Sequence, residues 1–262
     1  MTSSDPSDFQ VVTEMPGDPV SRIQIDRLLS RYTWAASYCR NKDIVEAACG
    51  AGPGLGLLDN ASLSLEAGDI SEPILARARE HYGDRIPLRI FDAQNMPFAD
   101  GSKDVVVLFE ALYYLPSAKS FVKECKRVLR AGGKILLATA NKDLWDFHPS
   151  AFSVQYYGVA ELKELFNEQG FSTEFFGFER AMQSSIRQKV LRFVKRLVVI
   201  SGLMPKTMAG KRWLKRIVFG RQLPMPDELH MSGDLSLDLS LIDGTQPDTV
   251  HKVIYCAATL EV

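Results

Sequence analysis

The run Val45–Leu58, VEAACGAGPGLGLL, places a glycine at every second position: Gly50, Gly52, Gly54 and Gly56. An apolar stretch precedes it and Leu57 and Leu58 follow, so it reads as a strand, a tight turn and the start of a helix. A glycine-rich turn in that place lets the backbone approach a ligand closely. Two ligand classes drop out. A triphosphate-binding P-loop needs Lys-Ser/Thr after its last glycine, where this chain has Leu57 and Leu58. A dinucleotide fingerprint needs a glycine three residues after its second, and those positions hold Leu55 or Leu57.

Outward from the turn, strand-like and helix-like segments alternate. Ile25, Leu28, Leu29, Tyr32 and Ala36 recur at helical spacing before it. SLSLEAG alternates like a strand. SEPILARAREHYG predicts a helix, with Ser71 at its N-cap, Pro73 in the first turn and Gly83 at its end. IPLRIFDA is a strand, and DVVVLF is the unbroken β-branched run of a central parallel strand. AKSFVKECKRVLRAGG is an amphipathic helix closed by glycines, and KILLATA follows as a strand. VAELKELFNEQGF is a further helix, STEFFGF a further strand, and TVHKVIYCAATLEV the last strand. This alternation predicts an α/β, doubly wound parallel sheet with ligands at the carboxyl ends of its strands.

The chain has 262 residues, 46% of them hydrophobic, which is enough for one α/β domain with an elaboration. Net charge is −1 and gives no sign of a polyanionic partner. No apolar run approaches a membrane span, and the first residues carry no secretory signal. Cys39, Cys49, Cys125 and Cys256 lie far apart, without the spacing of a zinc site, so no metal is expected and a reduced, cytoplasmic setting is the simplest reading. Residues 1–18 are polar and read as a flexible tail, 19–180 as the core, 181–247 as an insertion and 248–262 as the closing strand.

The turn fits another pattern, acidic-x-small-x-Gly-x-Gly, in Glu46, Ala48, Gly50 and Gly52. It resembles the first motif of the class I, Rossmann-like S-adenosylmethionine-dependent methyltransferases. GDIS, FDAQNMPFADGSKDVVVLFEALYYL and RVLRAGGKILLA resemble later blocks of that family, in the same order. The resemblance covers roughly residues 25–179. It implies a seven-stranded, mostly parallel sheet with the last strand antiparallel, and S-adenosyl-L-methionine as cofactor. Glu46 would organise the cationic end of the methionyl group, directly or through water, and the small residues Ala48, Gly50 and Gly52 would let the loop lie against the adenosine and methionine parts. Asp69 would accept from the ribose hydroxyls, with Ile70 beside it. Asp92 would accept from the adenine amine, the Ala93 backbone would meet the ring, and the Phe109 carbonyl would meet the methionyl ammonium.

The methyl acceptor is a separate question. EALYY, Glu110 to Tyr114, stands where exocyclic-amine DNA methyltransferases carry Asn/Asp-Pro-Pro-aromatic, so no nucleic-acid acceptor is expected. The paired glutamates of arginine methyltransferases are not evident either. The expectation is a small molecule, a saccharide or other polar metabolite, methylated at oxygen. A hydroxyl acceptor gains from a base, and His148 follows the fifth strand at the sheet's carboxyl edge. Tyr113, Tyr114, Tyr156 and Tyr157 are candidates to line the acceptor pocket.

From Ala181 to Pro226 the chain has no Asp or Glu and eleven basic residues, Arg212 and Arg216 among them. IRQKVLRFVKRLVVI and KRWLKRIVF each pair an apolar face with a basic one, so a helical cap between the sixth and seventh strands is expected. Three readings stay open: recognition of an anionic acceptor, peripheral contact with an anionic membrane, and a cap whose charge balances an acidic body. The rival functional classes are a membrane-associated lipid methyltransferase and a non-catalytic cofactor-binding module.

Overall fold

The computed structural model describes residue 9 and residues 12–181, 222–231 and 237–261. In chain order its elements are β1 (Pro19–Ser21), α1 (Arg22–Cys39), β2 (Asp43–Ala47), α2 (Leu55–Ala61), β3 (Ser64–Asp69), α3 (Glu72–Tyr82), β4 (Leu88–Ile90), β5 (Lys103–Phe109), a 3-10 turn at Leu112–Tyr114, α4 (Ala118–Val128), β6 (Leu129–Ala140), α5 (Val159–Asn167), β7 (Phe171–Arg180), β8 (Gln222–Pro224), β9 (Leu239–Ile242) and β10 (His251–Leu260). The continuous apolar run in β5 is buried on both faces, which is why it carries no alternation.

Among the described residues the main sheet has eight strands, in the order β4-β3-β2-β5-β6-β10-β7-β9. β2, β3, β4, β5 and β6 run parallel, and β10 enters antiparallel between β6 and β7. This is the mixed sheet the sequence predicts, with one strand added. β9 pairs antiparallel with β7 at the edge, at Phe175–Ile242 through Phe178–Leu239. It comes from the stretch read as insertion, and so does β8, which pairs with β1 in a separate two-stranded clasp.

Each face of the sheet has its own core. α1, α2 and α3 cover one with Leu29, Tyr32, Trp34, Leu55, Leu75 and Tyr82. α4 and α5 cover the other with Phe121, Val122, Cys125, Leu162 and Phe166. Trp34 pins α1 across the sheet, its ring 4.9 Å from Tyr255 and 6.5 Å from Phe109. α1 starts at a reciprocal cap in which Gln24 N donates to the Ser21 hydroxyl and Ser21 N donates to the Gln24 side chain. Ser71 stands at the N-cap of α3 as expected, but its hydroxyl caps nothing.

Of the stretch read as a flexible tail, the described residues are held. Gly17 N donates to Met225 O and Met225 N to Asp18 O, both at 2.8 Å. Thr13 lies over the glycine turn, its methyl 3.5 Å from where a side chain on Gly50 would begin. The Phe9 ring meets Tyr114 edge-on at 5.5 Å. The two amphipathic segments of the basic stretch, with Arg212 and Arg216, lie outside the described residues.

Candidate functional site

The strand order reverses between β2 and β5, and the chain leaves both strands there with unusual backbone. Ala48, just after β2, has φ 54°, and Glu110, just after β5, has φ 51°. Both are left-handed conformations that cost a non-glycine residue ~1–2 kcal/mol.

Each of the four glycines has its own reason. Gly50 and Gly52 carry φ of 60° and 73° and make the turn itself. Gly54 and Gly56 are there for space: a Cβ on Gly54 would overlap the Tyr32 ring, and one on Gly56 would overlap the Glu228 carboxylate. Glu228 holds that place through Arg85 at 2.7 Å and His81 at 2.8 Å, while Leu229 N donates to Pro53 O at 2.6 Å. The return from the basic stretch thus runs across the outer rim of the turn.

The Asp69 carboxylate ties β3 to the turn. One oxygen accepts from Gly50 N at 3.0 Å and the other from Ser71 N at 2.9 Å. Burial raises its pKa, and each oxygen keeps a lone pair for a further donor. Ile70 next to it is exposed. Asp92 accepts from the backbone and side chain of Gln94 at the exit of β4, with Ala93 buried beside it. Arg127 secures this loop, donating to Phe98 O at 2.8 Å and Met96 O at 3.0 Å and pairing with Asp100 and Glu124.

Glu46 is buried at the end of β2, and Tyr32 of α1 donates to its Oε1 at 2.7 Å. Its Oε2 is buried and has no hydrogen-bond partner among the described residues. Burial pushes its pKa up to about 8, against lowering contributions from the Tyr32 bond and the Arg31 charge. Arg31 is the matching orphan: its Nε is buried without a partner among the described residues, and its Nη2 reaches Glu110 Oε1 at 3.4 Å. Tyr113 donates to the other oxygen of Glu110 at 3.1 Å.

Beyond Glu110 stands an aromatic wall. Tyr113 stacks on Tyr156 with centroids 4.2 Å apart, Phe147 meets Tyr156 at 4.7 Å and Tyr114 meets Tyr113 at 4.6 Å. Ser150 fastens it, bonded to the Tyr114 hydroxyl at 2.7 Å and donating its N–H to Tyr156 at 3.1 Å. Trp145, Phe152 and Val154 of the same loop are exposed.

Glu46, Asp69, Asp92, Phe109, Tyr113, Tyr114 and Tyr156 therefore gather at one edge of the sheet. Two further candidates from the same loop differ from them in setting. Tyr157 packs against the core under α4 and α5. His148 is exposed in the loop after β6, with no hydrogen bond to a described residue. Instead a buried His–Asp pair occupies the mouth of β10: His251 Nδ1 lies 3.0 Å from Asp248 Oδ2, and Asn141 donates to the His251 carbonyl and to Asp248. Arg31 and Glu110 were not singled out from the sequence. Their signals were a cation beside the apolar stripe of a helix and a charge directly after an unbroken apolar strand.

Residues 45–137 match the family model described as a methyltransferase domain. The chain is 34% identical over 147 residues to a probable S-adenosylmethionine-dependent methyltransferase of Mycolicibacterium smegmatis, covering 55% of this chain and 57% of that protein. It is 27% identical over 128 residues to the ubiquinone biosynthesis O-methyltransferase of Pseudomonas paraeruginosa, covering 47% and 53%. The chain thus spans little more than half the length of the curated relatives it matches. A solved structure of a SAM-dependent methyltransferase from Thermotoga maritima superposes with a TM-score of 0.56 at 14% identity, covering 91% of this chain and 92% of that one.

Proposed function

We propose that this chain, which carries a class I S-adenosylmethionine-dependent methyltransferase domain, transfers the cofactor's methyl group to a hydroxyl oxygen of a ring-bearing small molecule. The observation that carries the reading is the pair of buried orphans, Arg31 Nε and Glu46 Oε2, beside the glycine turn. Buried polar atoms without partners are uncommon, and here one is cationic and one acidic. That donor and acceptor suit, respectively, the carboxylate and the ammonium of a methionyl group.

In this reading Arg31, Glu46 and the Phe109 carbonyl hold the methionyl end. Asp69 holds the ribose, and Asp92 with the Ala93 backbone holds the adenine. Ala48, Gly50 and Gly52 keep side-chain bulk out of the way, and Ile70 covers the adenosine. The cofactor supplies an electrophilic methyl carbon. When bound, it would pass that methyl group to the acceptor oxygen, leaving S-adenosylhomocysteine and a proton to be taken up by a base. The protein contributes alignment, which is worth several kcal/mol when the reacting atoms are held in line.

The stacked Tyr113 and Tyr156 support a ring-bearing acceptor, since a planar or apolar ring face packs well on them. The name of the ubiquinone-pathway relative points the same way. A saccharide ring also offers such a face. An anionic group on the acceptor, or contact with an anionic membrane, rests on the basic stretch around Arg212 and Arg216. Reversing both to Glu separates the two: a raised acceptor Michaelis constant that salt weakens marks the first, and release from anionic liposomes marks the second.

The central test is binding of S-adenosylhomocysteine. It should raise the melting temperature, because a ligand selective for the native state stabilises it. Asp69→Ala should remove most of that rise, and a full rise in the mutant would place the ribose elsewhere. Incubating the protein and cofactor with metabolite pools, read by the mass of one added methylene, then identifies the acceptor.

A further inference from the structure

Glu110 has no role in the reading of the cofactor site, yet both its backbone and its carboxylate are held. It follows Phe109 on β5, facing β2 across the reversal in strand order. Its backbone is held left-handed at φ 51°, with its N–H donating to Ala138 O at 2.8 Å. Its carboxylate is gripped from both sides, by the Tyr113 hydroxyl at 3.1 Å and by Arg31 at 3.4 Å. Through Arg31 of α1 and Tyr113 of the aromatic wall, Glu110 is tied both to the helix that covers Glu46 and to that wall. The side chain remains 25% exposed.

The other basic groups of this edge are worse placed. His148 is exposed and unattached to a described residue. The His251 ring is buried over Gly177 of β7, well beyond β6.

We propose that Glu110 is the acceptor-side carboxylate at the point of methyl transfer, where it accepts a hydrogen bond from the nucleophilic hydroxyl and aims its oxygen at the methyl carbon. The inference rests on the methyltransferase reading and adds the residue that positions the acceptor. Tyr113 and Arg31 fix the two carboxylate oxygens, so the hydroxyl meets a preset acceptor. Strained backbone is kept where the surroundings over-determine it, and here both the amide and the carboxylate are over-determined.

The test needs no acceptor. Sinefungin replaces the methylated sulfur by a carbon bearing an ammonium, so it carries a cation where the methyl group sits. S-adenosylhomocysteine is neutral there. Titration calorimetry of both ligands should show the wild-type protein preferring sinefungin by about tenfold or more, as expected for a charge-assisted bond to a carboxylate. Glu110→Gln should cut that preference by about tenfold while homocysteine-ligand affinity stays within about threefold. Tyr113→Phe should reduce it partially. If Glu110→Gln does not fold, Glu110→Asp, which withdraws the carboxylate by one methylene, should also lose the preference. An unchanged ratio, or an equal loss for both ligands, overturns the proposal and makes Glu110 structural. Wild-type protein that binds neither ligand defeats the cofactor reading itself, and this inference with it.

Discussion

At the scale of single residues, burial sets the behaviour of the site. Glu46 titrates near 4.5 in an unfolded chain and is raised to about 8 in the fold, chiefly by burial. The folded protein therefore keeps a proton that the unfolded chain gives up. Stability of the ligand-free protein should fall as pH rises from about 4.5 to about 8, and Glu46→Gln should flatten that slope in thermal melts. A cofactor ammonium would reverse the preference, because it favours the ionised carboxylate. S-adenosylhomocysteine affinity should therefore improve between pH 6 and 8 in the wild type and stay level in Glu46→Gln. Equal slopes in both proteins would mean that Glu46 does not sense the ligand's charge. Glu46, Asp69 and Asp92 were legible because each stands at or just past the end of a strand of a recognisable pattern, whereas Glu110, just past β5, was not singled out. Arg31 was not, since a cation on an amphipathic helix reads as solvated until Glu46 and Glu110 are seen beside it.

At the scale of elements, the parallel strands were legible because burial on both faces leaves unbroken apolar runs, as in β5 and in Ile135–Ala138 of β6. β1, β8 and β9 were not. They span three, three and four residues, and β8 and β9 pair on one side only. The fit between elements is tight where β7 meets β10. A Cβ on Gly177 would overlap the His251 ring, so Gly177→Ala should cost about 1–3 kcal/mol by overpacking, seen as a lower melting temperature. His251→Ala in the same background should recover part of that loss, and no recovery would place the strain elsewhere. The loop that carries Asp92 and Ala93 hangs on Arg127 of α4. Arg127→Met should weaken cofactor affinity several-fold, with a smaller effect on melting, because the loop loses its anchor while the sheet keeps its core.

At the scale of the whole molecule, the clasp of β1 with β8 joins the chain's beginning to the return of its basic stretch, and both parts run over the glycine turn. Removing residues 1–18 should therefore weaken S-adenosylhomocysteine binding although no expected cofactor contact lies within them. Unchanged affinity would make Thr13 and Phe9 ornaments of the rim. The same connectivity constrains how the protein is made. β10 is the bridge between β6 and β7, yet it is synthesised only after the whole of 181–250. Until it arrives, β6 and β7 each present an unpaired, apolar edge to the crowded cell, and such edges recruit other chains. The basic stretch prolongs that interval, so slow elongation between β7 and β10 should send the nascent chain toward aggregation, and chaperone demand should rise with the length of what lies between them.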